Sequence, residues 1–131
     1  MLKTGLKNEI KSIVSRELTA AAVKSGDCEV YGTPCLAALM EEAAAGLLAP
    51  YLEEGKTSVG TKLSLDHTAA TPVGMAVRAS AELREIDGRR FVFFIEAFDE
   101  KGLIGTAGHE RFIVDREKFV GRTYGKLEEK K

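Results

Sequence analysis

Between Ile10 and Leu18 apolar and polar positions alternate: Ile10, Ser12, Val14, Arg16 and Leu18 share one face, and Lys11, Ile13, Ser15 and Glu17 the other. A period of two predicts a strand. Thr19 to Gly32, which contains Ser25-Gly26-Asp27, reads as a loop. From about Pro34 to Leu48 the period lengthens to that of a helix, with Leu36, Leu39, Met40, Ala43 and Leu47 on one stripe. Thr33 suits the N-cap and Pro34 the first helical position, while Pro50 disfavours helix before it. The opposite helix face carries Ala37, Ala38, Glu41, Glu42 and Ala45. Side chains this small let another surface approach closely, which predicts burial against a partner chain.

Alternation then returns. Val59, Thr61, Leu63, Leu65 and His67 fall on one face of an extended segment. Met75, Val77, Ala79, Ala81 and Leu83 form the inner face of the next, with Arg78, Ser80, Glu82 and Arg84 outside. Asp87-Gly88 marks a tight hairpin of the primed-turn kind, and Arg90 to Phe98 form its return strand. Asp99-Glu100-Lys101-Gly102 is a second turn, followed by a last strand from Leu103 to Val114. One helix followed by consecutive antiparallel strands is an α+β arrangement. A curved antiparallel sheet wrapped around one long central helix buries both apolar surfaces, which is the hotdog architecture. Its edge strands need cover, and pairing two protomers supplies it. The 131 residues suit a single domain, residues 1–131, ending in a polar tail over about 122–131.

Composition narrows the function classes. A net charge of −1 gives no global field to attract nucleic acid or an anionic membrane, so neither is expected as a partner. Two cysteines, Cys28 and Cys35, make no disulfide framework and no metal-type spacing. A reduced, cytoplasmic protein is the expectation. The first residues lack the apolar core of a leader, and no stretch approaches the roughly 20 apolar residues of a membrane span.

The candidate chemistry centres on His67, in phase with the inward face of its strand, where strand character gives way to Thr68-Ala69-Ala70-Thr71-Pro72. Such a histidine reaches a ligand from a stiff support and exchanges a proton near neutral pH; a half-buried histidine satisfied by a backbone group is the competing reading. Glu41 and Glu42 lie mid-helix on the small-residue face, and periodicity alone does not choose between them. Thr33 is explained as a cap, yet a hydroxyl beside the free N–H groups of a helix N-terminus is also well placed to hold a substrate carbonyl or an attacking water. Cys35 reads as a buried, inert thiol. Gly60, alone within a strand pattern, predicts a bulge or a close backbone approach by a ligand. Alternation separates Glu110 from His109 and Arg111, and surface ion pairing is the expectation there. There is no phosphate-binding glycine loop, no metal-binding set and no nucleophile elbow.

Three stretches carry a family resemblance. They are Gly32-Thr33 with Leu39-Met40-Glu41 and Ala49-Pro50-Tyr51-Leu52-Glu53-Glu54-Gly55; Ser58-Val59-Gly60-Thr61 with His67-Thr68-Ala69-Ala70-Thr71-Pro72-Val73-Gly74; and Ala81-Glu82-Leu83-Arg84 with Gly88-Arg89-Arg90 and His109-Glu110-Arg111. Together they resemble the fluoroacetyl-CoA thioesterase family of hotdog proteins. The resemblance implies hydrolysis of a short acyl-CoA with Thr33, Glu41 and His67 as catalytic set, and Gly60 approaching the bound acyl group. His67 would handle the proton, Glu41 would act as nucleophile or as base for water, and Thr33 would orient the carboxylate or acyl group. It implies a homodimer, or a higher oligomer built from it, with sites near the subunit interface. CoA enters as part of the substrate, and neither cofactor nor metal is required. The segment before Thr33, which supplies aromatic lid residues in the fluoroacetate-specific enzyme, is short here: Ala20 to Gly32 has Tyr31 as its only aromatic. Fluoroacetyl specificity therefore does not carry over with the resemblance. A hotdog hydratase or dehydratase, or a non-catalytic acyl-CoA-binding protein, would use a related constellation.

Overall fold

The apolar stripe expected of the helix is what holds it. Helix α1 (Thr33–Leu48) buries Leu36, Leu39, Met40, Ala43, Ala44, Leu47 and Leu48 against a sheet of five strands: β1 (Lys7–Ile13), β2 (Lys56–His67), β3 (Ala76–Asp87), β4 (Arg90–Asp99) and β5 (Gly102–Asp115). The computed structural model describes residues 1–130; Lys131, the end of the expected polar tail, lies outside them. Every strand pairing is antiparallel, in the order β1-β3-β4-β5-β2. Val77, Ala79, Ala81 and Leu83 of β3 and Phe91, Phe93, Ile95 and Ala97 of β4 face the helix. Alanines on both surfaces bring helix and sheet together, and burial of a side chain such as Phe93 contributes about 2–3 kcal/mol. This is the α+β hotdog arrangement the pattern predicted.

Two elements differ from the sequence reading. The first strand lies earlier than Ile10–Leu18, at Lys7–Ile13, followed by a 3-10 turn over Arg16–Leu18. Its partner β3 begins at Ala76, so after Val14 the chain has no ladder to join. The alternation itself holds, with Asn8, Ile10 and Ser12 turned inward and Val14 buried. At the other end, the residues read as a polar tail take helical turns. Helix α2 (Arg116–Tyr124) starts where the Asp115 carboxylate accepts from the Lys118 N–H at 3.1 Å, and a 3-10 stretch covers Gly125–Lys130. The hairpin stands as expected: Asp87 pairs with Arg90, and Gly88 takes φ 62° in the turn between them.

The order of strands leaves β2 at an edge, paired with β5 on one side only. No helix among the described residues is long and apolar enough to cross a membrane.

Candidate active site

Strand β2 carries two groups of candidate residues, and a bulge sets their phase. Gly60 pairs with Arg111 and Lys62 with Glu110, which leaves Thr61 without a partner. One extra residue moves every side chain before it to the other face. Ser58 and Gly60, rather than Val59 and Thr61, therefore share the helix-facing side with Leu63, Leu65 and His67. This corrects the face expected for Val59 and Thr61. At Gly60 the bulge expected of the lone glycine is present, and a Cβ there would collide with the carboxylate of Glu41.

The first group lies at the C-terminal end of β2. The Thr33 hydroxyl is 2.8 Å from Nδ1 of His67. The N-cap of α1 is Gly32, with Thr33 in the first helical position, so the cap expected of Thr33 is corrected. Its hydroxyl, free of capping duty, meets the histidine instead. Gly105 makes the meeting possible. It pairs with His67, and a Cβ there would lie 2.8 Å from the Asp66 carbonyl oxygen and 3.3 Å from Leu36. Its absence lets the first turn of α1 settle on the strand end. Nε2 of His67 is buried without a hydrogen-bond partner, and Tyr31 stands edge-on to the ring at 6.5 Å. Burial holds the His67 pKa below the ordinary histidine value, with a backbone group of Ala69 opposing the shift in part. A neutral imidazole can accept at Nδ1 from the Thr33 hydroxyl, which is the more exposed of the pair. Both line a cleft of about 290 Å³ with Tyr31, Thr68, Ala69 and Ala70.

The second group surrounds Glu41, half-buried on α1. Its Oε2 lies 3.5 Å from Nη1 of Arg111 and 3.8 Å from Nε2 of His109. Arg111 also donates from Nε to the Ser58 hydroxyl at 2.9 Å and from Nη2 to the Ser58 carbonyl at 3.1 Å. His109 donates from Nδ1 to the Lys62 carbonyl at 2.7 Å, so its Nε2 can accept from Arg111 at 3.2 Å. Burial pushes the pKa of both His109 and Arg111 down; the Lys62 bond opposes it at His109 and Glu41 opposes it at Arg111. The surface ion pairing expected of His109 and Arg111 is thus corrected: they are 1% and 8% exposed. Only Glu110, split off by alternation, points outward, where Arg90 holds it at 3.0 and 3.1 Å. The inward phase that separated Glu110 from its neighbours was the signal for a buried pair.

The structure separates the two glutamates, since Glu42 is exposed and faces away from Arg111 toward a groove near Ser12 and Leu39. Cys35 is partly buried and its thiol is pushed up by burial, in keeping with an inert cysteine. Within one chain, however, the two groups stay apart. Eight residues of α1 separate Thr33 from Glu41, about 12 Å of helical rise. Along β2, Gly60 and His67 stand roughly 20 Å apart.

Comparison with known proteins shows the family. The family model described as fluoroacetyl-CoA-specific thioesterase matches residues 14–117. The chain belongs to that family. It is 45% identical over 91 residues to a fluoroacetyl-CoA thioesterase of Streptantibioticus cattleyicolor, across 70% of this chain and 66% of that relative, just under two thirds of its length. A solved structure of a fluoroacetyl-CoA thioesterase superposes with TM-score 0.92 at 34% identity, covering 96% of this chain and 98% of the other. A Thermus thermophilus hypothetical protein of the thioesterase superfamily superposes with TM-score 0.88 at 30% identity, covering 97% and 93%.

Proposed function

We propose that the protein hydrolyses a short acyl-CoA thioester to free acid and CoA. We propose further that it works as a homodimer whose sites combine Thr33 and His67 of one chain with Glu41 and Gly60 of its partner. One observation carries this reading: the two groups share the inward face of a single edge strand but lie at its opposite halves. Antiparallel pairing of two β2 edges about a two-fold axis near Leu63–Ser64 sets His67 against the partner's Gly60 and Glu41. The half-exposed Ala37, Glu41 and Ala45 of α1 then face the second chain, and the open edge is covered.

The chemistry follows from the groups so assembled. Glu41, oriented by Arg111, takes a proton from a water that attacks the thioester carbon. The Thr33 hydroxyl, donating to Nδ1 of neutral His67, accepts from that water and holds it for attack. As the C–S bond breaks, the protonated Glu41 returns its proton to sulfur, which leaves as the thiol of CoA. Burial of His109 and Arg111 strengthens their electrostatic hold on the half-buried Glu41 carboxylate. The aromatic lid implied for fluoroacetate-specific relatives has no counterpart in the described 20–32 segment beyond Tyr31. That supports a small unsubstituted acyl group as well as a fluorinated one.

Free thiol release across a panel of short acyl-CoA substrates tests the function. Release of CoA with production of the acid is expected. Hydration of an enoyl-CoA without thiol release, or saturable binding without turnover, would overturn it.

A further inference from the structure

His109 is a buried titratable side chain to which the hydrolysis proposed above gives no direct contact with substrate. Its ring packs against that of Phe93, with centroids 5.9 Å apart. A polar ring so placed needs a partner for each nitrogen. The Lys62 carbonyl can only accept, so Nδ1 carries the proton. In the neutral ring that burial favours, Nε2 is left with a lone pair. That lone pair faces Nη1 of Arg111 at 3.2 Å.

Ser58 holds the other edge of the same guanidinium, its hydroxyl accepting from Nε at 2.9 Å and its carbonyl from Nη2 at 3.1 Å. Both holds come from β2, on either side of the bulge at Thr61: Ser58 lies before it, and Lys62, the anchor of His109, directly after. Arg111 is the register partner of Gly60, so its guanidinium lies beside the one position of β2 that has no side chain. A Cβ there would stand 3.2 Å from Nη1 of Arg111 and 3.3 Å from Cε1 of His109. With Nε engaged by Ser58 and one Nη1 hydrogen by His109, the other Nη1 hydrogen is left for Oε2 of Glu41, 3.5 Å away. A planar donor fork fixed at both edges keeps one orientation, which an arginine held at one edge alone would not.

We propose that His109 and Ser58 are positioning residues: braced on the two sides of the β2 bulge, they hold the Arg111 guanidinium so that Nη1 stays on the Glu41 carboxylate. Neither touches the thioester, and each acts through Arg111. The proposal rests on the reading of Glu41 as the group that activates water, and it deepens that reading by naming what aims the carboxylate. A phenylalanine at position 109 would fill the same space beside Phe93 yet offer Arg111 no acceptor. A glutamine would bring an amide oxygen to where Nε2 stands.

The test measures kcat and KM for acyl-CoA hydrolysis in His109→Phe, His109→Gln, Arg111→Gln and the double variant His109→Phe, Arg111→Gln, with thermal unfolding to confirm folding. Nuclear magnetic resonance of the Arg111 guanidinium nitrogens reports separately whether Nη1 is held. His109→Phe should lower kcat about tenfold with KM within about twofold, and His109→Gln should recover most of that loss. In the Arg111→Gln background, His109→Phe should have no further effect on kcat. The Nη1 hydrogens should give separate signals in the wild type and in His109→Gln, and averaged ones in His109→Phe. Ser58→Ala, which removes only a half-buried hydroxyl, should likewise lower kcat only while Arg111 is present, and it decides the matter if the phenylalanine variant does not fold. An unchanged kcat in His109→Phe, or the same loss with and without Arg111, would overturn the positioning role while leaving hydrolysis standing. A wild-type chain that hydrolyses no thioester, yet whose Nη1 signals average in His109→Phe, would instead sink the hydrolytic reading and support the hold on Arg111.

Discussion

Thr33 Oγ1 and His67 Nδ1 lie 2.8 Å apart, joining residues 34 positions apart in the chain. The bond exists because Gly32 takes the cap position and Gly105 lets α1 reach the end of β2. Thr33→Ala removes it without removing a cap, so stability should change by less than about 0.5 kcal/mol while kcat falls at least tenfold. Thr33→Ser keeps the hydroxyl and should retain most of the rate. Steady-state kinetics and thermal unfolding on both variants check the pair; equal losses for Ala and Ser would count against the hydrogen bond.

The histidines make the protein sensitive to acid. Burial lowers the pKa of both His67 and His109 from the ordinary 6.5. The unfolded chain therefore binds more protons between that value and the depressed folded ones, and stability rises with pH across the window. It should be fully present above about 6.5 and decline as pH falls below. The hydrogen-bond-accepting role proposed for His67 predicts an acid limb to kcat/KM with its midpoint below 6.5. Thermal midpoints and pH–rate profiles test both signs, and a midpoint above 6.5 would contradict a buried, neutral His67.

Gly60 leaves room for a carboxylate. A methyl group in its place meets the Glu41 oxygen, and the flexible side chain must turn away. Gly60→Ala should then cost about 1 kcal/mol or less in stability and about 10²-fold in kcat, a combination that a purely structural glycine would not give.

Glu41→Gln removes the charge that Arg111 faces at 3.5 Å and that His109 faces at 3.8 Å. A loss of about 10²-fold or more in kcat is expected. Glu42, exposed on the neighbouring position, should tolerate the same change within about twofold. Comparable losses in the two variants would mean that the carboxylate doing the chemistry has been misassigned.

Much of this arrangement is legible in the sequence. The buried stripe of α1, the inward face of β3 and the Asp87-Gly88 hairpin follow from periodicity and turn chemistry alone. What escapes it has physical causes. The bulge at Thr61 inverts the phase of half of β2, and no local pattern shows which residue goes unpaired. His109 and Arg111 are charged or polar types that usually face water, so their burial depends on Glu41 and Ser58 arriving from distant parts of the chain. Helix α2 lacks an apolar stripe and is marked mainly by the Asp115 cap. The early end of β1 at Ile13 depends on where β3 begins.

The central claim is that each site draws Thr33 and His67 from one chain and Glu41 from its partner. The direct measurement uses two inactive variants, His67→Ala and Glu41→Gln, unfolded together and refolded so that mixed dimers form. In a mixed dimer one site combines intact His67 with intact Glu41, and the other holds both substitutions. Random assembly should restore about a quarter of the wild-type acyl-CoA hydrolysis, with each variant refolded alone remaining inactive. No recovery, despite mixed dimers demonstrated by mass, would contradict the shared site.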